Sequence, residues 1–304
     1  MSEQKIYRFM SGSKVALGLS LTLILISLVS LAVRGLNLGL DFTGGTVIEV
    51  EYAQPPRVDD VRRQLEQAGY NKVVVQKFGS DRSILIRLAE SQDDKVGQKV
   101  VSALEKDGQQ VTLKRAEFVG AQIGDELREK GGMGLLLALA MIMLYVAFRF
   151  QLKFSVGAVA ALIHDVIITV GFFSVFQWEF DLNVLAAVLA IIGYSLNDTI
   201  VVSDRIRENF RKIRKGSVEE VIDISLTETL ARTIVTGLTT LLTLIALYFL
   251  GGDALHGFSQ ALIIGVVVGT YSSIYVASAL LLVQGISRED LALPVKNQPE
   301  DGVV

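Results

Sequence analysis

Six long apolar segments constrain this chain more than any other feature. Val15–Val33 runs for 19 residues without a charge. Five more follow at about Gly134–Ala147, Val156–Val175, Leu182–Val202, Leu230–Leu250 and Phe258–Val283. A helix needs about 20 apolar residues to cross the hydrocarbon core of a bilayer, where its backbone must satisfy its own polar groups. Six membrane-spanning helices are therefore expected, the last long enough to include a tilted or interfacial part. Ser30-Leu-Ala32 has the small residues of a leader cleavage site. The apolar run before it exceeds the roughly 7–15 residues of a leader core, so retention as an anchor is expected.

Between the first two segments, residues 36–130 read as a soluble insert of 95 residues. This mixture explains a chain that is 51% apolar yet 20% charged. Val47–Tyr52 alternates like a strand, and Val58–Ala68 places Val61, Leu65 and Ala68 on one helical face. Lys72–Phe78 and Ser83–Leu88 read as strands, Asp93–Leu104 as a helix and Val111–Phe118 as a further strand. The order β-α-β-β-α-β predicts a small ferredoxin-like α+β domain. The expected division is 1–35 for the N-terminus and first span, 36–130 for the insert, 131–284 for spans two to six and 285–304 for a C-terminal tail.

Loop charges set the expected orientation. Lys5, Arg8 and Lys14 precede span one, Arg149 and Lys153 join spans two and three, and six Lys or Arg residues from Arg205 to Lys215 follow span four. The connections Gln177–Asp181 and Gly251–Gly257 contain none. Both termini are therefore expected in the cytoplasm and the insert outside, with Trp178 and Phe180 at the outer interface.

Several function classes are excluded or disfavoured by composition. The net charge of −3 gives no basic footprint for nucleic acid. With no cysteine and only His164 and His256, neither a disulfide nor a thiolate or histidine zinc site is expected. No nucleophile, metal or cofactor constellation stands out, so an enzyme is not expected. No G-x-x-x-x-G-K-[ST] loop is present to bind a nucleotide, so energy would have to come from ions, voltage or a partner.

The chemistry concentrates inside the spans. Asp198 lies in span four, within Gly193-Tyr-Ser-Leu-Asn-Asp-Thr199. A carboxylate in a membrane helix is costly unless it faces a partner or a water path, which makes it a candidate functional group. Arg232 lies at a similar depth in span five, and the two form a candidate titratable unit. Burial raises a carboxylate pKa and a nearby guanidinium lowers it, so helix movement can drive proton uptake and release. A structural ion pair, and an arginine reaching to the lipid phosphates, are the plainer readings. Arg232, Thr236, Thr239, Thr240 and Thr243 share one helical face. In span three, His164 and Asp165 form a possible secondary relay or an interhelical hydrogen-bond pair. Adjacent helical positions diverge by about 100°, so at most one is expected to face the Asp198 path. Gly265-Val-Val-Val-Gly269 in span six is a small-residue packing seam.

Gly39-Leu-Asp-Phe-Thr-Gly-Gly45, Val119-Gly-Ala-Gln-Ile-Gly-Asp-Glu-Leu127, His164-Asp-Val166, Glu179-Phe-Asp-Leu182, Gly193–Thr199 with Arg205-Ile-Arg-Glu-Asn209, and Leu230-Ala-Arg-Thr233 occur in this order. In these motifs, over nearly its whole length, the chain resembles the SecF family. Its members are the smaller subunits of the bacterial SecDF protein-export complex, within the resistance-nodulation-division superfamily. The resemblance implies a six-span half-transporter in the inner membrane that pairs with a six-span SecD and associates with the SecYEG channel. It also implies use of the proton motive force to help draw preprotein across, with Asp198 and Arg232 in the proton path. A further essential aspartate belongs to SecD, so the chain alone is not expected to conduct protons. Ala121 stands where many members have proline; a local turn change without functional loss is expected. The alternatives are a non-conducting scaffold that stabilises SecD and the channel, and a small-molecule exporter of the same superfamily. The small insert and single six-span half disfavour the exporter. Asp41, between glycines, is expected to cap a sharp turn.

Overall fold

The computed structural model describes residues 6–70, 73–88, 95–105 and 109–287. The expected element starts at Lys72 and Asp93, and nearly all of the C-terminal tail, lie outside these residues. A 3-10 turn, Met10–Gly12, leads into α1 (Ser13–Arg34), β1 (Asn37–Leu38), the single turn α2 (Leu40–Thr43) and β2 (Gly45–Tyr52). Then come α3 (Val58–Gln67), β3 (Val74–Phe78), β4 (Ser80–Leu88), α4 (Val96–Leu104) and β5 (Val111–Val119). The remainder is α5 (Ala121–Arg149), α6 (Leu152–Phe176), β6 (Glu179–Phe180), α7 (Leu182–Lys212), α8 (Val218–Leu250) and α9 (Asp253–Ser272), then a π turn, Ser273–Ala277, and α10 (Ser278–Val283).

Among the described residues, six helical segments are long and apolar enough to cross a membrane, at the six expected places. Three reach well beyond the apolar stretches, among them α8, which starts at Val218 rather than Leu230. Gly120 is extended and α5 starts at residue 121, so 121–130, expected within the insert, are its first turns. Position 121 is the first helical residue of α5, a place that proline also favours. Span four continues to Lys212, which places Arg205, Arg207 and Arg211 on α7 itself.

The insert has the predicted β-α-β-β-α-β order, and its four strands form an antiparallel sheet β3-β4-β2-β5. On β2, Ile48 lies between Ile86 of β4 and Ala116 of β5. The two helices cover one face of this sheet. Val61 and Leu65 of α3, with Val100 and Leu104 of α4, bury Ile48, Val50, Ile84 and Ile86. At about 25 cal/mol per Å² of apolar area, this two-layer core is what holds the insert as a unit.

A short tie joins insert and bundle. β1 pairs in parallel with β6, placing Asn37 beside Glu179 and Leu38 beside Phe180. Gly39 N donates to Phe180 O at 2.8 Å. A Cβ at Gly39 would lie 3.0 Å from the Asp181 Cβ, so this approach suits glycine. Arg87 of β4 forms an ion pair with Glu179 and donates to Leu38 O. Asp41 does not cap its own turn: its Oδ2 accepts from Leu182 N at 3.0 Å, at the start of α7. Asp181 is the local cap, accepting from Val184 N at 2.8 Å. Phe180 packs against Phe42 and Phe173 and is buried, which corrects its expected place at the outer interface. The parallel pairing of β6 turns this ring inward, whereas Trp178 remains partly exposed and stacks on Phe176.

Candidate functional site

Helix α7 is the centre of the bundle, packed on α6, α8 and α9. It buries Ser195, Asp198 and Thr199 together with Ile191, Ile192 and Val202. The close approach of α9 uses the glycine seam. A side chain at Gly265 would run into Ile191, and a Cβ at Gly269 would lie 3.1 Å from the Ser195 Cβ. Without these glycines the two backbones could not pack at this distance.

Asp165 is the hub of a buried polar network. Its Oδ2 accepts from Ser195 Oγ at 2.5 Å and from Ser272 Oγ at 2.9 Å. Its Oδ1 lies 2.9 Å from His164 Nδ1, and His164 Nε2 lies 3.1 Å from Ser20 Oγ. Tyr271 stacks on the His164 ring and donates to Ala16 O at 2.6 Å. One carboxylate thus links α1, α6, α7 and α9. His164 and Asp165 diverge as helical neighbours, yet Asp165 reaches back to the imidazole. Thr199 Oγ1 and Ser273 Oγ, 2.9 Å apart, join α7 to the π turn.

Asp198 is different. It is only 4% exposed, and its Oδ2 has no hydrogen-bond partner. Thr169 and Thr233 also bury hydroxyls without a partner. An unsatisfied carboxylate oxygen inside an apolar bundle is expensive, which marks this as the least settled polar group of the core.

Arg232 is not bonded to it. The inward face of α8 is Thr229, Thr233, Gly237 and Leu244, so Arg232 is turned aside and exposed. No ion pair within 4.0 Å joins Arg232 to Asp198 among the described residues. Arg232 instead lines a cleft of about 300 Å³ with Asp204, Arg205, Glu208 and Glu228. Asn209 and Arg205 both contact Glu228 there, at 2.8 Å and 3.6 Å.

The threonine stripe follows Arg232 out of the core. Thr236, Thr239, Thr240 and Thr243 donate to the carbonyls of Arg232, Val235, Thr236 and Thr239, four residues back in each case. Sequence reasoning passed over Ser20, Ser272 and Tyr271. One signal was available in span one, where Ser20, Ser27 and Ser30 recur at spacings of seven and three and form the buried face against α6.

A six-helix bundle with a ferredoxin-like insert after its first helix, and a buried carboxylate on its central helix, defines a multi-pass membrane protein of the half-transporter class. Residues 99–286, more than half of the chain, match the family model for the protein export membrane protein SecD/SecF, C-terminal, and residues 29–56 match the SecD/SecF GG motif. The protein translocase subunit SecF of Pseudomonas aeruginosa is 53% identical over 288 residues, covering 94% of each chain. That of Vibrio alginolyticus is 49% identical, covering 97% of this chain and 95% of the relative. The chain belongs to the SecF family. Among solved structures, SecDF from Thermus thermophilus, described as a translocon-associated membrane protein, aligns with a TM-score of 0.85 at 39% identity. The alignment covers 92% of this chain and 39% of that one. SecDF in a super-membrane-facing form aligns with a TM-score of 0.69 at 38% identity, covering 93% of this chain and 39% of that one.

Proposed function

We propose that the chain is an accessory subunit of protein translocation that works with a SecD partner and uses the proton motive force to promote preprotein export through SecYEG. In this reading it lies in the inner membrane with both termini cytoplasmic and residues 36–130 outside. The observation that carries the proton role is the buried Asp198 Oδ2 without a hydrogen-bond partner. Such a carboxylate has a reason to bind and release a proton as its surroundings change. Asp165 and His164, considered as a secondary relay, are assigned to holding α7 against α6, because both side chains already have partners within the bundle.

The outward face of α8 supports the pairing with SecD. Arg232, Thr239 and Thr243 lie on a surface that this chain leaves exposed. Arg232 would complete its surroundings only in the assembled pair.

The test is proton flux in liposomes that contain this chain with SecD. Asp198→Asn keeps size and removes titration. Loss of flux with normal co-purification of SecD is expected. Loss of the complex instead would support a scaffold role for this chain. Unchanged flux with the complex intact would sink the assignment of Asp198 as carrier.

A further inference from the structure

A cavity on the other side of α8 is unused by the reading above. It has a volume of about 990 Å³ and opens between the N-terminal segment, the start of α8 and α10. This is within the size of sites that hold small ligands. Its walls are anchored. Met10 N donates to Asp223 Oδ1 at 2.9 Å, Tyr7 N donates to Thr227 Oγ1 at 3.0 Å, and Phe9 packs edge-on to Tyr275.

The lining is divided by charge. Arg8 and Lys14 come from the N-terminal segment and the first turn of α1, and Glu219 and Glu220 from the first turn of α8. All four are exposed. No ion pair within 4.0 Å joins any of them among the described residues. Opposite charges that share a cavity without meeting leave room for a ligand that carries both. The remainder of the lining is mixed: Ser11, Ser13, Ser217 and Asp223 are polar, while Leu17 of α1 and Leu282 of α10 give the same space an apolar part. Leu17 lies one turn further into span one than Lys14, so the cavity passes from charged to apolar in the direction of the membrane interior.

We infer that this cavity binds a zwitterionic aminophospholipid from the leaflet on the N-terminal side. Its phosphate lies with Arg8 and Lys14, its primary ammonium with Glu219 and Glu220, and an acyl chain against Leu17 and Leu282. Charge-assisted hydrogen bonds from the cations suit the phosphate, and the carboxylates suit an ammonium. A purely anionic headgroup meets the two glutamates unfavourably, which gives the site its selectivity. Free phosphoethanolamine shares the headgroup chemistry but lacks the apolar contacts.

The test is native mass spectrometry of the full-length chain in detergent, with equal amounts of phosphatidylethanolamine and phosphatidylglycerol of the same acyl composition. The native chain should retain the ethanolamine lipid in preference by roughly fivefold, the scale of one exposed to half-buried charge contact. Glu219→Gln with Glu220→Gln should bring the ratio close to one. Glu219→Lys with Glu220→Lys should reverse it, a gain that damaged folding cannot produce. Arg8→Gln with Lys14→Gln should lower retention of both lipids. Equal retention by the native chain, or a preference that survives the glutamate changes, overturns the proposal. Displacement of the lipid by an equal concentration of glycerophosphoethanolamine overturns the membrane source and leaves a soluble headgroup as ligand.

Discussion

Ser195 Oγ donates to Asp165 Oδ2 at 2.5 Å, three residues before Asp198 on the same helix. The contact fixes the rotation of α7 and hence the direction in which Asp198 points. Replacement of Asp165 by alanine leaves Ser195, Ser272 and His164 without their shared partner. The expected cost is about 1–3 kcal/mol, since single side-chain hydrogen bonds between membrane helices average well under 1 kcal/mol but a buried group left unpaired costs more. Asparagine at the same position can accept from both serines and donate to His164 Nδ1. Thermal unfolding in detergent should show a loss for Asp165→Ala and little change for Asp165→Asn. Proton flux in the Asp165→Asn complex should stay within about twofold of native if the network only positions α7, a change under 0.5 kcal/mol.

The glycine seam makes a graded prediction. Any side chain at Gly265 meets Ile191 directly, whereas at Gly269 alanine requires Ser195 to yield by only a few tenths of an ångström. Gly265→Val should therefore separate α7 and α9 and cost about 1–3 kcal/mol, as overpacking does. Gly269→Ala should cost less in folding. It should nonetheless disturb the Ser195–Asp165 contact, which infrared or NMR signals of the carboxylate would report.

Asp181 predicts a pH dependence. Its burial at the start of α7, with a smaller contribution from the charge of Asp41, holds its pKa above the ordinary carboxylate value, against the lowering effect of its bond from Val184 N. A raised acid favours the folded state most where it is protonated. That advantage is complete below the unfolded pKa and is lost as pH rises through the folded one. At neutral pH the native chain therefore carries the cost of a buried charge there. Asp181→Asn keeps a good capping residue and removes that cost. It should unfold at a higher temperature than native at pH 7, with the difference shrinking toward pH 4. A difference that grows on acidification would contradict the assignment.

Arg87 and Glu179, 17% and 31% exposed at their side chains, tie the insert to the hairpin between α6 and α7. Arg87→Gln removes the ion pair and weakens the bond to Leu38 O. At about 1 kcal/mol for a partly buried pair, amide exchange should quicken by roughly fivefold at Gly39, whose N–H is held by Phe180 O. Exchange within β2 and β4 should not change, because the backbone ladder through Arg87 and the core beneath it stay intact when only the side chain is altered. Faster exchange throughout the sheet would instead place Arg87 in the folding of the insert.

The elements most legible in the sequence were those governed by one strong rule. Long apolar runs marked the spans, and alternation and helical spacing marked the strands and helices of the insert. Helix rotation was less accessible. Arg232 and the threonines share a face in sequence, but Gly237 and Thr233 let the neighbouring face pack closer, so the polar stripe turned outward. Phe180 was displaced by a two-residue strand pairing too short to leave a pattern. His164 and Asp165 were separated by helical geometry and rejoined by side-chain reach, which residue spacing does not encode.

The threonines of α8 have a consequence for whatever covers them. A hydroxyl has one hydrogen to give, and Thr236, Thr239, Thr240 and Thr243 each spend it on their own helix. What Thr239 and Thr243, the exposed members, present outward is lone pairs alone. The stripe is therefore an acceptor-only surface beside a donor-only arginine. A complementary helix must bring hydroxyl, amide or protonated carboxyl donors to the threonines and acceptors to Arg232, and a helix with the reverse arrangement has no matching face to offer.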